Sequence, residues 1–435
     1  MKTIGIDIGT TTISAVVMDT DTRRVLSTKT IPNDSTMRTD KVWERIQVPQ
    51  QIIKRAMDLV DEIVGNYPDF DAIGLTGQMH GILYLDENGH YISPLYTWED
   101  GRGNLPVFDG KTATELAGEA FEGNSASGYG LVTHLYNLRQ KIVPGSAKRI
   151  CTVMDYLGMK LSGRKEPLMH MSTAASLGFF IAKEGRFDTE ALIRAGIDPS
   201  ILPEVTQDLV CLGYFRGIPV TVAIGDNQAS FLGAAGEQAN TVLVNMGAGG
   251  QISVLSDIWY EAPGIEARPV FPGKYLLAGS SLCAGKAYEI LERFFRDYAV
   301  AAGARDEPQF EVMEKLLQYR LSEERLYVET TFQGTRTDPD KTASISGMTD
   351  RNFTPADLVH GTLEGMAQEL YDLYLLIEEG TGIHATKVIA SGEGLRRNRI
   401  LQSIFQEKFK APLELSPFDE EAACGAALTA LARKN

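Results

Sequence analysis

The sequence predicts an α/β protein of two domains, each opening on a β-hairpin whose turn can grip phosphate. Residues 4–16, IGIDIGTTTISAV, are echoed at 242–254 by VLVNMGAGGQISV. In both, apolar alternation meets a small polar residue, Asp7 or Asn245, and then a turn rich in small residues, Gly9-Thr10-Thr11-Thr12 or Gly247-Ala248-Gly249-Gly250. Alternation resumes beyond the turn, which is the pattern of a hairpin. The length of 435 residues exceeds one compact core and suits two domains. β-branched runs alternating with helical spacings supply the rest.

Turns of this kind aim successive backbone N–H groups at one spot, and Gly or Thr there lets a phosphate come close. One such turn alone is an ordinary hairpin. The pair is more informative because Asp7 stands just before the first turn, where a carboxylate can hold the Mg²⁺ of a nucleotide through water. Together the two turns resemble the phosphate loops of the actin-like ATPase (ribonuclease H-like) fold shared by sugar kinases, heat-shock chaperones and actin. The resemblance covers the whole length. It implies ATP as cofactor, an interdomain cleft, and phosphate contacts from Gly9, Thr10, Thr11 and Thr12 and from Gly247, Ala248 and Gly249.

After the first hairpin a third strand is expected near Arg24–Thr30. A helix follows from Pro49 to Val64, with Ile53, Met57, Val60 and Val64 on its apolar side and Pro49 in its first turn. Residues 72–86 read as strand, turn and strand; 111–121, 133–142 and 153–163 read as helices, the last stopped by Gly163. The run IPVTVAI at 218–224 reads as one buried central strand ending at Gly225-Asp226, with a helix from 227 to 235. Strands return at 241–254, so the boundary is placed near 230–240, giving domains 1–234 and 235–435. The second domain carries expected helices at 285–298, 355–379 and 398–409, a strand at 387–390 and a final helix near Glu420.

Composition limits the functional classes. Hydrophobic residues make up 43% of the chain and charged residues 23%, as in an ordinary globular protein. A formal net charge of −15 argues against nucleic acid or an anionic membrane as partner, and requires that a nucleotide be held by local dipoles and a metal ion. Cys151, Cys211, Cys283 and Cys424 are scattered and read as small buried apolar residues, with a reducing cytoplasm as the expected compartment. Asp7 breaks the first apolar run too early for a signal peptide, and no run reaches a membrane span. His90, His134, His170, His360 and His384 show no metal-ligand spacing and read as solvated or structural. These features leave a homodimer open.

Two motifs lie on the expected substrate side. Thr76-Gly77-Gln78-Met79-His80-Gly81 puts a polar ring and a polarizable thioether at a strand-end turn, and Thr97-Trp98-Glu99-Asp100-Gly101-Arg102 follows one hairpin later. An aromatic beside charged groups suits a sugar, since the ring covers C–H faces while the charges take hydroxyls. Each motif alone is matched by a bland reading, a hairpin histidine or a buried Trp with a surface ion pair. QMHG followed by W-x-D-G-R resembles the substrate signature of the FGGY carbohydrate kinases, particularly xylulokinases and sedoheptulokinases. Gln78, Met79, His80, Trp98, Asp100 and Asn227 are the sugar-side candidates.

Gly225-Asp226-Asn227-Gln228 sets an aspartate between a buried strand and a helix, a position also suited to an N-cap. In FGGY kinases the matching turn carries the catalytic base. The resemblance therefore implies that Asp226 is the base and shares Mg²⁺ with Asp7. Ser391-Gly392-Glu393-Gly394, followed by Asn398, resembles the family's adenosine motif and implies contacts from Gly392, Gly394 and Asn398. Ser127–Gly130, 154–178, Gly225–Ser230 and the late 397–413 stretch resemble sedoheptulokinases more than xylulokinases.

Two departures stand out. The second turn lacks the family's Gly-Thr pair, and the first lacks a nearby lysine, so backbone N–H groups carry more of the phosphate grip. The expected reaction is phosphorylation of a terminal primary hydroxyl of a ketose, sedoheptulose first and xylulose second. A chaperone-type ATPase and a non-catalytic sugar sensor of the same fold are the other readings.

Overall fold

The computed structural model describes residues 1–431, which form two compact units. The first comprises residues 1–236, 268–274 and 418–431; the second comprises 237–267 and 275–417.

In the first unit β1 (Lys2–Ile8), β2 (Thr12–Asp19) and β3 (Arg24–Pro32) form an antiparallel meander. α1 (Pro49–Asn66) follows with Pro in its first turn and leads into β4 (Ala72–Gly77), parallel to β1. α1 buries Ile52, Ala56, Leu59, Val60 and Ile63, one position round from the expected face of Ile53, Met57 and Val64. Both sets have helical spacing and share Val60, and the sheet beneath selects between them. α2 (Ala113–Ala120) and α4 (Val153–Ser162) begin on capping boxes at Thr112 and Thr152, and α4 stops at left-handed Gly163. α3 (Gly130–Arg139) starts three residues before its expected position.

The run at 218–224 is not one strand. β5 (Cys211–Phe215) pairs antiparallel with β6 (Ile218–Thr221), after which the Val222 N–H donates to Val210 O. A separate short strand, β7 (Ile224–Gly225), then rejoins β4. The sheet order is β5-β6-β4-β1-β2-β3, with β7 also on β4. α5 (Asp226–Ala234) leaves directly from β7.

The second unit repeats this plan. β8 (Thr241–Met246) and β9 (Gly250–Ser256) form the echoed hairpin, β10 (Ile265–Phe271) and β11 (Lys274–Ser281) extend it, and α6 (Gly285–Ala301) follows. α7 (Pro355–Thr381), β12 (Lys387–Ser391), α8 (Arg399–Phe409) and β13 (Leu413–Leu415) complete it in the order β10-β11-β9-β8-β12-β13. Its core joins Val242, Val244, Ile252 and Val254 of the hairpin to Leu363, Met366 and Leu370 of α7. In both units a meander is extended by parallel strands, and Asp7 faces Thr76 as Asn245 faces Ser391. The sequence echo is therefore a repeat of topology.

The last helix, α9 (Glu421–Thr429), groups with the first unit rather than with the expected domain 235–435. The side chains are small because the backbones touch. A Cβ on Gly5 would lie 1.8 Å from Ala423 O, one on Gly74 1.9 Å from Ala426 O, and one on Gly425 1.8 Å from Ala229 O. α9 thus lies on the sheet and against α5, with Val16 and Met18 buried beneath Phe418, Ala423 and Ala427. Among the described residues no helix is long and apolar enough to cross a membrane. Cys151, Cys283 and Cys424 are buried as expected, whereas Cys211 is exposed.

Candidate active site

Strand register assembles the first unit's site. β1, β4 and β7 run parallel, with Ile8 opposite Gly77 and Gly77 opposite Gly225. The Gly9–Thr12 turn, the Gln78–Gly81 loop and Asp226 therefore all leave the carboxyl ends of adjacent strands, where α/β sheets place their ligands. Asp7 and Asp226 belong to this edge.

Both carboxylates are electrostatically strained. Burial raises Asp7 to about 7, and the like charges of Asp226 and then Glu420 push the same way. Burial also raises Asp226, to about 6, opposed by the Asn227 backbone N–H, the Arg268 charge and the Asn227 side chain. Asp226 is the first residue of α5, which is capped by Gly225 without a side-chain bond. The N-cap reading of Asp226 is thus corrected, and its Oδ1 accepts from Asn227 Nδ2 at 2.9 Å. Among the described residues no group of three or more His, Cys, Asp or Glu could hold a metal ion. Two mutually repelling carboxylates nevertheless fit Mg²⁺, which takes one or two carboxylates and keeps water or phosphate for the rest.

Met79 is buried, with Asn227 Nδ2 3.7 Å from its sulfur. Asn227 therefore links the QMHG loop to the Asp226 turn. His80 has a left-handed backbone, φ 69°, and its ring stacks on Tyr129 at 4.6 Å and 17°. Trp98 is 48% exposed and donates from Nε1 to Thr10 Oγ1 at 3.0 Å. Gly128 permits this loop: at φ +88° its absent Cβ would lie 1.9 Å from Trp98 O. Thr11 and Thr12 are exposed at the tip of the first turn.

Two expected sugar contacts have other work. Asp100 is buried, accepting from Arg102 Nε at 2.6 Å, from Arg102 Nη2 at 3.1 Å and from the Arg45 N–H at 2.9 Å. Arg102 is itself buried over the Tyr96 ring, at 4.2 Å. This pair anchors the Trp98 loop from inside the fold; a hydrophilic hexapeptide gave no sign that its ion pair would be internal. Gln78 is also buried, donating to Gln47 Oε1 at 2.9 Å, while Gln47 Nε2 donates to Thr10 O at 2.8 Å. It braces the first turn.

In the second unit Gly247, Ala248 and Gly249 are exposed, and the N-terminus of α6 closes on them: the Gly285 N–H donates to Gly247 O at 3.1 Å and the Lys286 N–H to Ala248 O at 2.9 Å. Gly392, φ +82°, and Gly394 lie against the same segment, their absent Cβ atoms 2.5 and 3.0 Å from Met246 O. The expected adenosine turn and second phosphate turn are therefore neighbours. Asn398 caps α8, its Oδ1 accepting from the Leu401 N–H at 2.9 Å, so this side chain serves the helix. A cavity of about 810 Å³ along α7, lined by His360, Glu364, Gln368 and Glu369, contains none of the expected site residues.

Arg268, Tyr129, Gln47, Ser172 and Ser176 were not foreseen as site neighbours. Arg268 and Gln47 arrive by tertiary folding from segments without a motif of their own, whereas Tyr129, Ser172 and Ser176 lie in stretches that the resemblance singled out without giving these side chains a role.

The two halves of the chain match the two domains of one family. The N-terminal domain of the FGGY family of carbohydrate kinases matches residues 2–241, and the C-terminal domain matches 264–433. The chain belongs to the FGGY family of carbohydrate kinases. Mouse sedoheptulokinase is 25% identical over 480 residues, covering 99% of this chain and 97% of its own. The xylulose kinase of Staphylococcus xylosus is 26% identical over 455 residues, covering 98% and 90%. The crystal structure of xylulose kinase from Rhodospirillum rubrum superposes with a TM-score of 0.84 at 22% identity, covering 99% of this chain and 89% of that one. The fold of this FGGY kinase is thus the two-domain, actin-like α/β fold expected from its paired turns.

Proposed function

We propose that this FGGY kinase transfers the γ-phosphoryl group of ATP to the terminal primary hydroxyl of a ketose, with sedoheptulose the first substrate and D-xylulose the second. The observation that carries the reading is Asp226, a half-buried carboxylate at the end of β7 with an affinity for protons raised to about 6. That is high enough to accept a proton and low enough to be ionised at neutral pH.

In the proposed reaction Asp226 takes the proton as the hydroxyl oxygen bonds to the γ-phosphorus, while the bond to the β-phosphate oxygen breaks and ADP leaves. The backbone N–H groups of the Gly9–Thr12 and Gly247–Gly249 turns neutralise phosphate charge. Asp7 and Asp226 would hold Mg²⁺, which supplies charge compensation when bound. Met79 and the Trp98 ring cover C–H surface of the sugar, and His80 and Asn227 take its hydroxyls.

Sedoheptulose leads because relatives bearing that name align with nearly the whole chain, mouse sedoheptulokinase at 25% identity. D-xylulose follows because of the Staphylococcus xylosus relative. The Met79, His80 and Trp98 grouping speaks against a chaperone-type ATPase. ADP release measured with sedoheptulose, D-xylulose and D-ribulose tests the proposal. Ketose-dependent release supports it; ketose-independent release, or binding without release, overturns it in favour of a chaperone-type ATPase or a sensor.

A further inference from the structure

The short segment His170–Leu177 touches two parts of the site at once. His170 is fully buried. Its Nε2 lies 3.2 Å from Gln207 O and its Nδ1 2.8 Å from Ser172 Oγ. A carbonyl oxygen only accepts, so Nε2 carries the hydrogen, and in the neutral ring Nδ1 is left as an acceptor. Burial keeps that ring neutral, lowering it to about 4. The Ser172 hydroxyl therefore donates to Nδ1, and its oxygen accepts the Gly225 N–H at 3.0 Å. Gly225 is the residue before Asp226, so every bond from Gln207 to the Asp226 turn has a fixed direction.

Four residues on, Ser176 holds the other side. Its hydroxyl donates to Thr173 O at 2.7 Å and accepts the His80 N–H at 3.1 Å. Its carbonyl accepts from His80 Nδ1 at 2.7 Å. Nδ1 must carry that hydrogen, because a carbonyl oxygen only accepts. The strained φ of His80 is held by the same serine.

We propose that His170–Leu177 is a bracket that sets the Asp226 turn and the His80 ring in a common frame, with Ser172 and Ser176 as positioning residues for the base and for the sugar. The inference rests on the kinase reading above and adds to it the residues that orient its two working side chains. The bracket explains why a buried His-x-Ser-x-x-x-Ser stretch has its polar atoms aimed at two loops from distant parts of the chain.

Steady-state kinetics of Ser172→Ala and Ser176→Ala on the full chain test it. Losing one oriented bond is expected to change a rate or affinity by about tenfold. Ser172→Ala should lower kcat with little change in either KM, and Ser176→Ala should raise the KM for the ketose while sparing that for ATP. His170→Asn, which can still accept from Ser172, should retain most of kcat, whereas His170→Leu should match Ser172→Ala and add nothing to it in the double variant. Parallel loss of kcat and both KM values in step with thermal stability, or no change at all, would overturn the bracket. A second readout needs no turnover: ring ¹⁵N shifts of the substrate-free protein should report Nδ1–H for His80 and Nε2–H for His170, with His80 keeping Nδ1–H in Ser176→Ala because the main-chain carbonyl that it donates to remains. The opposite tautomers would sink the bracket even if the kinase reading stands. The expected ones would uphold it even if no ketose is phosphorylated.

Discussion

The indole N–H of Trp98 donates to the hydroxyl of Thr10 at 3.0 Å, joining the loop expected to hold sugar to the turn expected to hold phosphate. Trp98→Phe keeps a ring but deletes the donor. A bond of this kind is worth about 1 kcal/mol, so the variant should raise the KM for ketose and for ATP together, each by about fivefold. Kinetics with both substrates varied will show whether the two rise as a pair; a change in the ketose term alone would mean that the bond does not couple them.

Replacement of Asp226 by Asn keeps the shape and removes the base. Turnover should fall about 10²-fold or more, while ketose affinity measured by calorimetry stays within a few-fold. Residual turnover near the parent rate would remove Asp226 from the proposed role.

The raised carboxylates give stability a definite pH sign. For Asp7 and Asp226 the folded state holds its protons more tightly than the unfolded chain. Their contribution is therefore fully present below the unfolded value near 4 and is lost as pH rises through about 6 and then about 7. Metal-free protein should lose this stabilisation between about pH 4 and pH 7, and added Mg²⁺ should restore most at the alkaline end. Asp7→Asn should flatten both effects in thermal unfolding. The rate, in contrast, should fall on the acid side of about pH 6, where Asp226 becomes protonated.

Asp100 supplies a control. Removing one partner of a buried ion pair strands the other, at a cost of about 3–5 kcal/mol. Asp100→Ala should lower the unfolding midpoint strongly. If the side chain were a ligand contact instead, the variant would show a raised ketose KM and normal stability.

Gly392→Ala tests the second unit. A side chain there must adopt φ +82° with Cβ 2.5 Å from Met246 O. A backbone at φ 82° and ψ 152° is open essentially only to glycine and costs another residue about 1–3 kcal/mol, and relief of the clash should displace the neighbouring turn. ATP KM is expected to rise more than ketose KM; equal effects would separate Gly392 from the nucleotide side.

Much of this was legible in the chain because it is written locally. The hairpins at 2–19 and 241–256, the Pro49 and Gly163 helix limits and the Asp226 turn all follow from period, punctuation and spacing within a few residues. Residues whose role depends on distant segments were not legible. Asp100 looks like a surface charge until Arg102, Tyr96 and Arg45 enclose it, and Gln78 looks available until Gln47 takes its amide. The α1 stripe failed for another reason: two interleaved helical faces were both apolar, and only the sheet beneath could choose. The split of 218–224 into β6 and β7 likewise needed Val210 as a partner.

α9 has a consequence for biosynthesis. The half of the molecule bearing the proposed base leaves the ribosome without the helix that roofs its sheet, and the grooves over Gly5 and Gly74 stay uncovered until residues 421–429 emerge. Maturation of that half is thereby tied to synthesis of residues 421–429: a nascent chain stalled before 418 would hold the strands of the second unit but an unsealed first one.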